Sequence, residues 1–178
     1  MNAPATETHG PATAFIALGS NLGDSRQTIE DAFARLQELS AAPLRKSSLW
    51  RSSPVDCPPG SPDFINAVAA IQPLPGETPE SLLAKLHAIE RDFGRRRKTV
   101  RNEARPLDLD LISFGHERRA TAELSLPHPR AHLRRFVLEP LCEIAPETIL
   151  PGQTQPAHQL LQSLPSPYGI VRFHPRPR

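Results

Sequence analysis

Two aspartates separated by a single residue are the part of this sequence best suited to chemistry. Asp108 and Asp110 lie in the apolar run 107–114, which predicts a β-strand bounded by Gly115. Because side chains alternate along a strand, both carboxylates should share one face while the neighbouring leucines enter the core. Two anions about 5 Å apart repel by about 3 kcal/mol at an effective dielectric of 20. Such a pair favours a hard cation such as Mg²⁺, which also binds substrate phosphates; the alternative is a solvated polar face.

A strongly basic segment runs directly into this acidic strand. Residues 91–105 carry seven Lys or Arg and two acidic residues, a local charge of +5 in a chain whose net charge is +2. Arginine binds phosphate oxygens through charge-assisted hydrogen bonds, each contributing about 1.5–3 kcal/mol. An isolated run of this kind is typical of a solvated or nucleic-acid-binding surface. Beside two metal-type carboxylates, it predicts a site for a metal-bound polyphosphate.

Phe64 and Asn66 are candidates for binding a flat heterocycle. They alternate within the segment 63–72, which predicts a second strand with both side chains on one face. An aromatic ring stacks on a base for about 1–3 kcal/mol. An amide can donate to and accept from the edge of a pterin or purine. The alternative is an ordinary buried Phe beside a surface Asn.

Two further patterns predict no separate site. The run 19–23, Gly-Ser-Asn-Leu-Gly, matches neither glycine-rich nucleotide motif, and so predicts a plain turn. His128 and His132 have the spacing of a zinc pair, but Pro127 and Pro129 should keep His128 out of helical geometry. Contact with phosphate suits His128 better, because two arginines follow closely.

The elements that would position these residues alternate in a simple order: strand, helix, strand, strand, helix, strand. A short helix should follow from about Arg134, limited or kinked by Pro140. The order predicts an α+β, ferredoxin-like fold, an antiparallel sheet with helices on one face, in a single domain with mobile catalytic loops. The predicted strands are 15–18, 44–53, 63–72 and 107–114, and the predicted helices begin after the N-caps Asp24 and Thr78.

Length and composition set the domain organisation. The chain has 178 residues, close to one domain of about 150. It contains no apolar run of about 18 residues and no export signal at its N-terminus, and Cys57 and Cys142 should be free thiols in a reducing cytoplasm. Proline is abundant, at 21 residues. We expect a disordered leader over 1–13, a folded domain over 14–150 and a proline-rich extension over 151–178, packed on the domain or trailing from it.

Several short segments follow one another in a characteristic order. They are 17–23, 62–68, 89–90, 94–97, 105–111, 126–129 and 134–141. Together they resemble the 6-hydroxymethyl-7,8-dihydropterin pyrophosphokinase family of folate biosynthesis. The resemblance implies that residues 14–150 form a pyrophosphokinase domain. It would transfer the diphosphate of ATP to the hydroxymethyl group of the pterin, giving the pterin diphosphate and AMP.

The resemblance also implies roles for individual residues. The catalytic residues would be Arg95, Arg105, Asp108 and Asp110, with both aspartates holding two Mg²⁺ on the ATP triphosphate. The pterin would lie between Phe64 and Phe136, with its edge contacted by Asn66 and the backbone near Ser52 and Val55. The ATP-binding residues would be Glu90, Arg97, His128 and Arg134.

Three positions depart from the family pattern, and two other functional classes remain. Asn102-Glu103-Ala104 replaces a Trp-Gly-Pro-like run, Pro129 an aromatic residue, and Ser52-Ser53 a frequent Thr-Pro. An RNA-binding ferredoxin-like module would need an aromatic RNP strand, which the sequence lacks; a metal-responsive binding domain without catalysis is the third class. For the pyrophosphokinase we expect two small-molecule substrates as partners, namely ATP and 6-hydroxymethyl-7,8-dihydropterin. We also expect no nucleic acid or membrane partner, and a cytoplasmic monomer.

Overall fold

The computed structural model describes residues 12–54, 57, 59–94, 104–165 and 169–173. The predicted leader therefore lies outside the described residues except for Ala12 and Thr13. The strands are β1 Ala14–Ser20, β2 Arg45–Lys46, β3 Trp50–Ser52, β4 Phe64–Ile71, β5 Asp108–Phe114, β6 Arg119–Ala120, β7 Ser125–Leu126 and β8 Ile170–Arg172. The helices are α1 Ser25–Gln37, α2 Pro79–Asp92, α3 Arg135–Ile144 and α4 Ala157–Ser163, with a 3₁₀ turn at Ala131–Leu133.

An antiparallel sheet in the order β5-β1-β4-β3-β8 organises the molecule, with β2 also paired to β4. The apolar strand β1 lies at the centre, between β4 and β5. Strands β5, β1, β4 and β3 have the ferredoxin-like order that the sequence predicts. The α+β class and the antiparallel sheet are therefore confirmed.

The first two helices begin where the sequence predicts. The Asp24 side chain accepts the backbone N–H of Gln27 at 3.0 Å. The Thr78 hydroxyl accepts the N–H of Ser81 at 3.1 Å, while Pro79 takes the first helical position. Each cap satisfies a backbone donor that the first helical turn leaves without a partner.

Helices cover both faces of the sheet, which corrects the expectation of helices on one face. Helices α1 and α2 bury Leu36 and Leu86 against one face, as predicted. On the other face α3 and α4 bury Leu138 and Leu160 against Val68 and its neighbours. Because β4 is buried on both sides, its alternating residues serve two separate cores.

The edge of the sheet beside β4 is interrupted, so the predicted strand 44–53 becomes two short strands, β2 and β3. Between them Ser47 donates its N–H to the Val68 carbonyl at 3.0 Å. Its hydroxyl accepts the Val68 N–H at 3.0 Å. The Ser47 hydroxyl thus takes the place of a backbone carbonyl as the acceptor for the Val68 N–H. The residue types of the segment 44–53 do not predict this substitution.

Two smaller predictions can also be compared with the structure. Among the described residues, neither Cys57 nor Cys142 takes part in a disulfide bond. Over the described ranges, the helices lack the combination of length and apolar character that a bilayer crossing needs.

Candidate active site

The two aspartates project from the same face of β5, as the alternation predicts. Leu109 between them is 2% exposed, whereas both aspartates are half-buried. In the register with β1, Asp108 lies opposite Gly19 and Asp110 opposite Ala17. Ala17 packs against the core under α3, and paired residues point to the same face. The carboxylates therefore face the α3 side of the sheet.

Gly19 forms the floor of the site, because the strands on both sides place functional groups beside it. It pairs with Asp108 on β5 and with Asn66 on β4. A Cβ atom at Gly19 would lie 3.6 Å from Asn66 Oδ1 and 3.8 Å from Phe64 Cδ1. The acidic pair and the predicted heterocycle-binding pair thus meet across one glycine. The plain turn predicted for 19–23 is wrong at its start, since Gly19 and Ser20 end β1.

Arg105 joins the two halves of the site. Its Nη2 lies 3.5 Å from Asp108 Oδ2, and its guanidinium carbon lies 6.0 Å from the centre of the Phe64 ring. In the part of the chain that the structure describes, the buried Arg105 Nε has no hydrogen-bond partner. Unpaired buried donors are rare, and one here is consistent with a position for an anionic ligand.

Asn21 holds Arg105 in place, a role that the sequence analysis missed. This buried side chain accepts the Arg105 backbone N–H at 2.9 Å through Oδ1. It donates through Nδ2 to the Pro62 carbonyl at 3.4 Å. The Asn21 N–H also donates to the Arg105 carbonyl at 3.3 Å. The one sequence signal for this role of Asn21 is its position directly after β1.

His128 and Arg134 face the aspartates from the loop before α3. Burial lowers the pKa of His128 from its usual value of 6.5 to about 4, helped by Arg134 and Arg130 and opposed by Asp108. Its Nδ1 accepts the Arg130 backbone N–H at 3.2 Å. The imidazole is therefore neutral, with its remaining proton on Nε2 available to donate.

Arg134 belongs to the same electrostatic group. Burial lowers the pKa of Arg134, and so does Arg130, whereas Asp110 and Asp108 oppose the shift. Its guanidinium carbon lies 5.4 Å from the centre of the Phe136 ring. Arg130 is a second residue that the sequence analysis missed as a neighbour of this group.

Ser52 and Asn66 form the edge of the site away from the aspartates. Asn66 Nδ2 donates to the Ser52 hydroxyl at 2.8 Å, and both side chains are buried. The Asn66 Oδ1 remains on the side of Gly19. This amide oxygen can accept a hydrogen bond from a ligand that lies over Gly19.

Glu90 lies beneath the acidic strand. Its carboxylate is 3% exposed and accepts the Leu109 backbone N–H at 2.7 Å. Leu109 separates the two aspartates, so Glu90 fixes the backbone between them.

Several predicted features lie outside the described residues. Val55, Arg95 and Arg97 are among them, as are Asn102 and Glu103 of the departing run. Over the described ranges, no cluster of three or more His, Cys, Asp or Glu side chains could hold a metal ion. A metal on Asp108 and Asp110 would take its other ligands from water or phosphate.

Comparisons with known sequences agree on one family. Residues 15–146 match the family described as 7,8-dihydro-6-hydroxymethylpterin-pyrophosphokinase (HPPK). A 2-amino-4-hydroxy-6-hydroxymethyldihydropteridine pyrophosphokinase from Haemophilus influenzae is 40% identical over 141 residues, which is 79% of this chain and 86% of the relative. A protein of the same name from Pseudomonas aeruginosa is 40% identical over 140 residues, with coverage of 77% and 83%. The match to a Synechocystis protein of that name is 35% over 161 residues, with coverage of 89% and 77%.

Solved structures share the fold. A crystal structure of HPPK-DHPS in complex with substrates superposes with a TM-score of 0.65 at 12% identity, covering 86% of this chain and 43% of that chain. Wild-type Plasmodium falciparum HPPK-DHPS with pteroate gives a TM-score of 0.64 at 12% identity, with coverage of 85% and 44%. This chain thus spans less than half the length of both. At such identity the likeness concerns the fold.

Proposed function

As a member of the 7,8-dihydro-6-hydroxymethylpterin-pyrophosphokinase family, the chain is a pyrophosphokinase of folate biosynthesis with ATP as co-substrate, and we propose that the site around Gly19 carries its reaction. The diphosphate of ATP passes to the hydroxymethyl oxygen of 6-hydroxymethyl-7,8-dihydropterin, and AMP leaves. The observation that carries this proposal is the meeting of Asp108 and Asp110 with Phe64 and Asn66 across one glycine.

Asp108 and Asp110 fit a pair of Mg²⁺ ions. Both are half-buried carboxylates on one face, and hard oxygen ligands of this kind suit Mg²⁺ that keeps waters and phosphate oxygens as its other ligands. When bound, the ions would neutralise the charge of the triphosphate. The Arg105–Asp108 separation of 3.5 Å exceeds that of a charge-assisted hydrogen bond, about 2.7–2.9 Å. Arg105 and Asp108 therefore form an ion pair that is longer than a close hydrogen bond.

The pterin lies over Gly19, between the rings of Phe64 and Phe136. Asn66 Oδ1 accepts from an N–H on the pterin edge, and the backbone near Ser52 and Val55 completes the contacts. Since Asn66 Nδ2 is committed to Ser52, the orientation of this amide is fixed before substrate arrives. A fixed acceptor reduces the entropy lost when the ring is ordered.

The cations orient the nucleotide and stabilise the charge that develops on it. Phosphoryl transfer needs little covalent help, so positioning and charge stabilisation dominate. Arg105 and Arg95 stabilise the breaking α–β bridge, and neutral His128 donates through Nε2 to an oxygen of the nucleotide. The remaining nucleotide contacts come from Arg97 and Arg134, while the buried Glu90 acts indirectly by holding the β5 backbone between the aspartates. We place the chain in the cytoplasm as a monomer.

The test is AMP formation from ATP, Mg²⁺ and 6-hydroxymethyl-7,8-dihydropterin. Wild-type chain should form AMP, while Asp108→Ala and Asp110→Ala should each lose at least about 100-fold in kcat, as expected for loss of a major source of charge stabilisation. Both should keep the wild-type circular dichroism spectrum. Asp31→Ala removes an exposed carboxylate on α1 that accepts a hydrogen bond from Gln27, and this variant should remain active.

Two results would contradict the proposal. Near-normal turnover in both variants would exclude the aspartates from the reaction. Absence of AMP with the wild-type chain would favour a metal-responsive binding domain, the non-catalytic alternative.

A further inference from the structure

Glu143 on α3 is a hydrogen-bonding centre outside the site described above. Its Oε2 accepts the Ser48 backbone N–H at 2.8 Å and the Trp50 indole N–H at 3.0 Å. Its Oε1 accepts from the Arg172 guanidinium, and this group also donates to the Ser48 hydroxyl at 2.6 Å. The Glu143 side chain is 18% exposed. One half-buried carboxylate therefore joins α3, the β3 edge and β8.

These elements carry opposite walls of the pterin site. Phe136 lies on α3 seven residues before Glu143, and positions i and i+7 share one helix face. Ser52 lies on β3 two residues after Trp50, and its hydroxyl accepts from Asn66. Glu143 thus connects the helix bearing one stacking ring with the strand bearing the polar edge.

Strand β8 supplies Arg172 and also supports β3 directly. Ser52 pairs with Ile170 and Trp50 with Arg172, while Ser53 donates its N–H to the Gly169 carbonyl at 2.8 Å. Gly169 has φ +83°, and a Cβ there would lie 3.1 Å from the Ser53 Oγ. A glycine therefore lets β8 begin in close contact with the segment after Ser52.

We infer that Glu143 and Arg172 are positioning residues for the pterin, and that the C-terminal strand is part of the substrate site's support. The pair sets the separation between Phe136 and the Ser52–Asn66 edge. Loosening it changes the fit of the ring and leaves the aspartates on β5, at the other edge of the sheet, undisturbed. This inference rests on the proposed function, since it assigns the two walls to the pterin.

The test compares Arg172→Met and Glu143→Gln with the wild type. Arg172→Met keeps an unbranched side chain and the backbone pairing of β8 but removes the charge held by Glu143. We expect the KM for the pterin, and the Kd for the pterin from fluorescence titration, to rise about tenfold, the effect of one hydrogen bond to a charged group. The KM for ATP should rise less than the KM for the pterin, because Glu143 lies near the C-terminal end of α3, whereas Arg134 and the His128 loop lie at its N-terminal end and the aspartates lie on β5. Arg172→Lys should restore part of the pterin affinity.

Arg119→Met is the matched control. It removes an arginine paired with Glu80 and Glu117 and should leave both KM values unchanged. An unchanged pterin Kd in Arg172→Met, or equal rises in both KM values, would overturn the inference. If Arg172→Met fails to fold, the pterin Kd of Arg172→Lys and Glu143→Gln decides. A wild-type chain that binds no pterin would instead defeat the proposed function, so the two failures are distinguishable.

Discussion

Gly19 leaves space in the candidate site because it has no side chain. Because a Cβ at this position would lie 3.6 Å from Asn66 Oδ1 and 3.8 Å from Phe64, an added methyl group makes ordinary contacts with the protein. It would occupy the space that we propose for the pterin. A substitution at Gly19 should therefore affect ligand binding without affecting the stability of the fold.

We predict that Gly19→Ala remains as stable as the wild type to within about 0.5 kcal/mol. Its kcat/KM for the pterin should fall at least about tenfold, because a displacement of about 1 Å in a reacting group can cost up to about 100-fold. Urea unfolding and AMP formation measure the two effects. Equal activity would show that the ring does not lie over Gly19.

His128 should make stability depend on acidity. The pKa of His128 in the folded chain is about 4, below the usual value of 6.5. Between pH 4 and pH 6.5, His128 is therefore protonated in the unfolded chain and neutral in the folded chain. Stability should therefore fall as the pH decreases from about 6.5 towards 4. Urea unfolding without nucleotide should show a smaller loss over this range in His128→Gln. Identical slopes, or an NMR titration of His128 near 6.5, would contradict the burial described here.

Substitutions at Glu90 test whether its hydrogen bond to the Leu109 N–H stabilises the backbone between the aspartates. Glu90→Leu leaves the buried Leu109 N–H without its acceptor, which should lower the free energy of unfolding by about 1–3 kcal/mol. Glu90→Gln keeps an acceptor oxygen and should cost less. Urea unfolding of both variants checks the order; equal stability would show that the hydrogen bond contributes little.

At the scale of elements, α2 carries Glu90 to β5 and depends on its N-terminal cap. Thr78→Ala removes the acceptor for the Ser81 N–H and should destabilise the chain by about 1 kcal/mol. Thr78→Ser keeps the hydroxyl and serves as the control. Chemical denaturation should place the serine variant close to the wild type, and an alanine variant of equal stability would refute the cap's contribution.

The elements with regular patterns could be predicted, and those fixed by distant contacts could not. Asp24 and Thr78 are local signals because they satisfy donors within the same helix, and the leucines of β5 alternate with its aspartates. The interruption at Ser47 and the pairing of β8 depend instead on Val68 and Ser53. Neither contact leaves a periodic pattern in the chain.

The same division applies to the site. Charge and alternation predict Asp108, Asp110 and Asn66 as site residues, because residue type and spacing alone show which polar side chains share a strand face. Gly19 and Asn21 acquire their roles only when β1 lies between β4 and β5. The role of Glu143 is harder still to predict from the sequence, since its partners Trp50, Ser48 and Arg172 lie 93, 95 and 29 positions away in the chain.

At the scale of the whole molecule, the second helical layer explains why the candidate site lies at one end of the sheet. Helix α3 packs over Val68 and Phe15, while the ends of β1, β4 and β5 beyond that core carry Gly19, Asn66 and Asp108. One face thus holds a core and a site side by side. His128 precedes the 3₁₀ turn and donates its N–H to the Ile112 carbonyl at 2.8 Å, so it lies beside this second core.

The most direct measurement concerns the affinity of an unreactive ATP analogue. Calorimetric titration with α,β-methylene ATP should show that Mg²⁺, compared with EDTA, strengthens binding to the wild-type chain at least tenfold, or about 1.4 kcal/mol. In the double variant Asp108→Asn/Asp110→Asn this gain should disappear while weak, metal-independent binding through the arginines persists. A double variant that keeps the full gain from Mg²⁺ would show that the aspartates do not hold the metal-bound triphosphate.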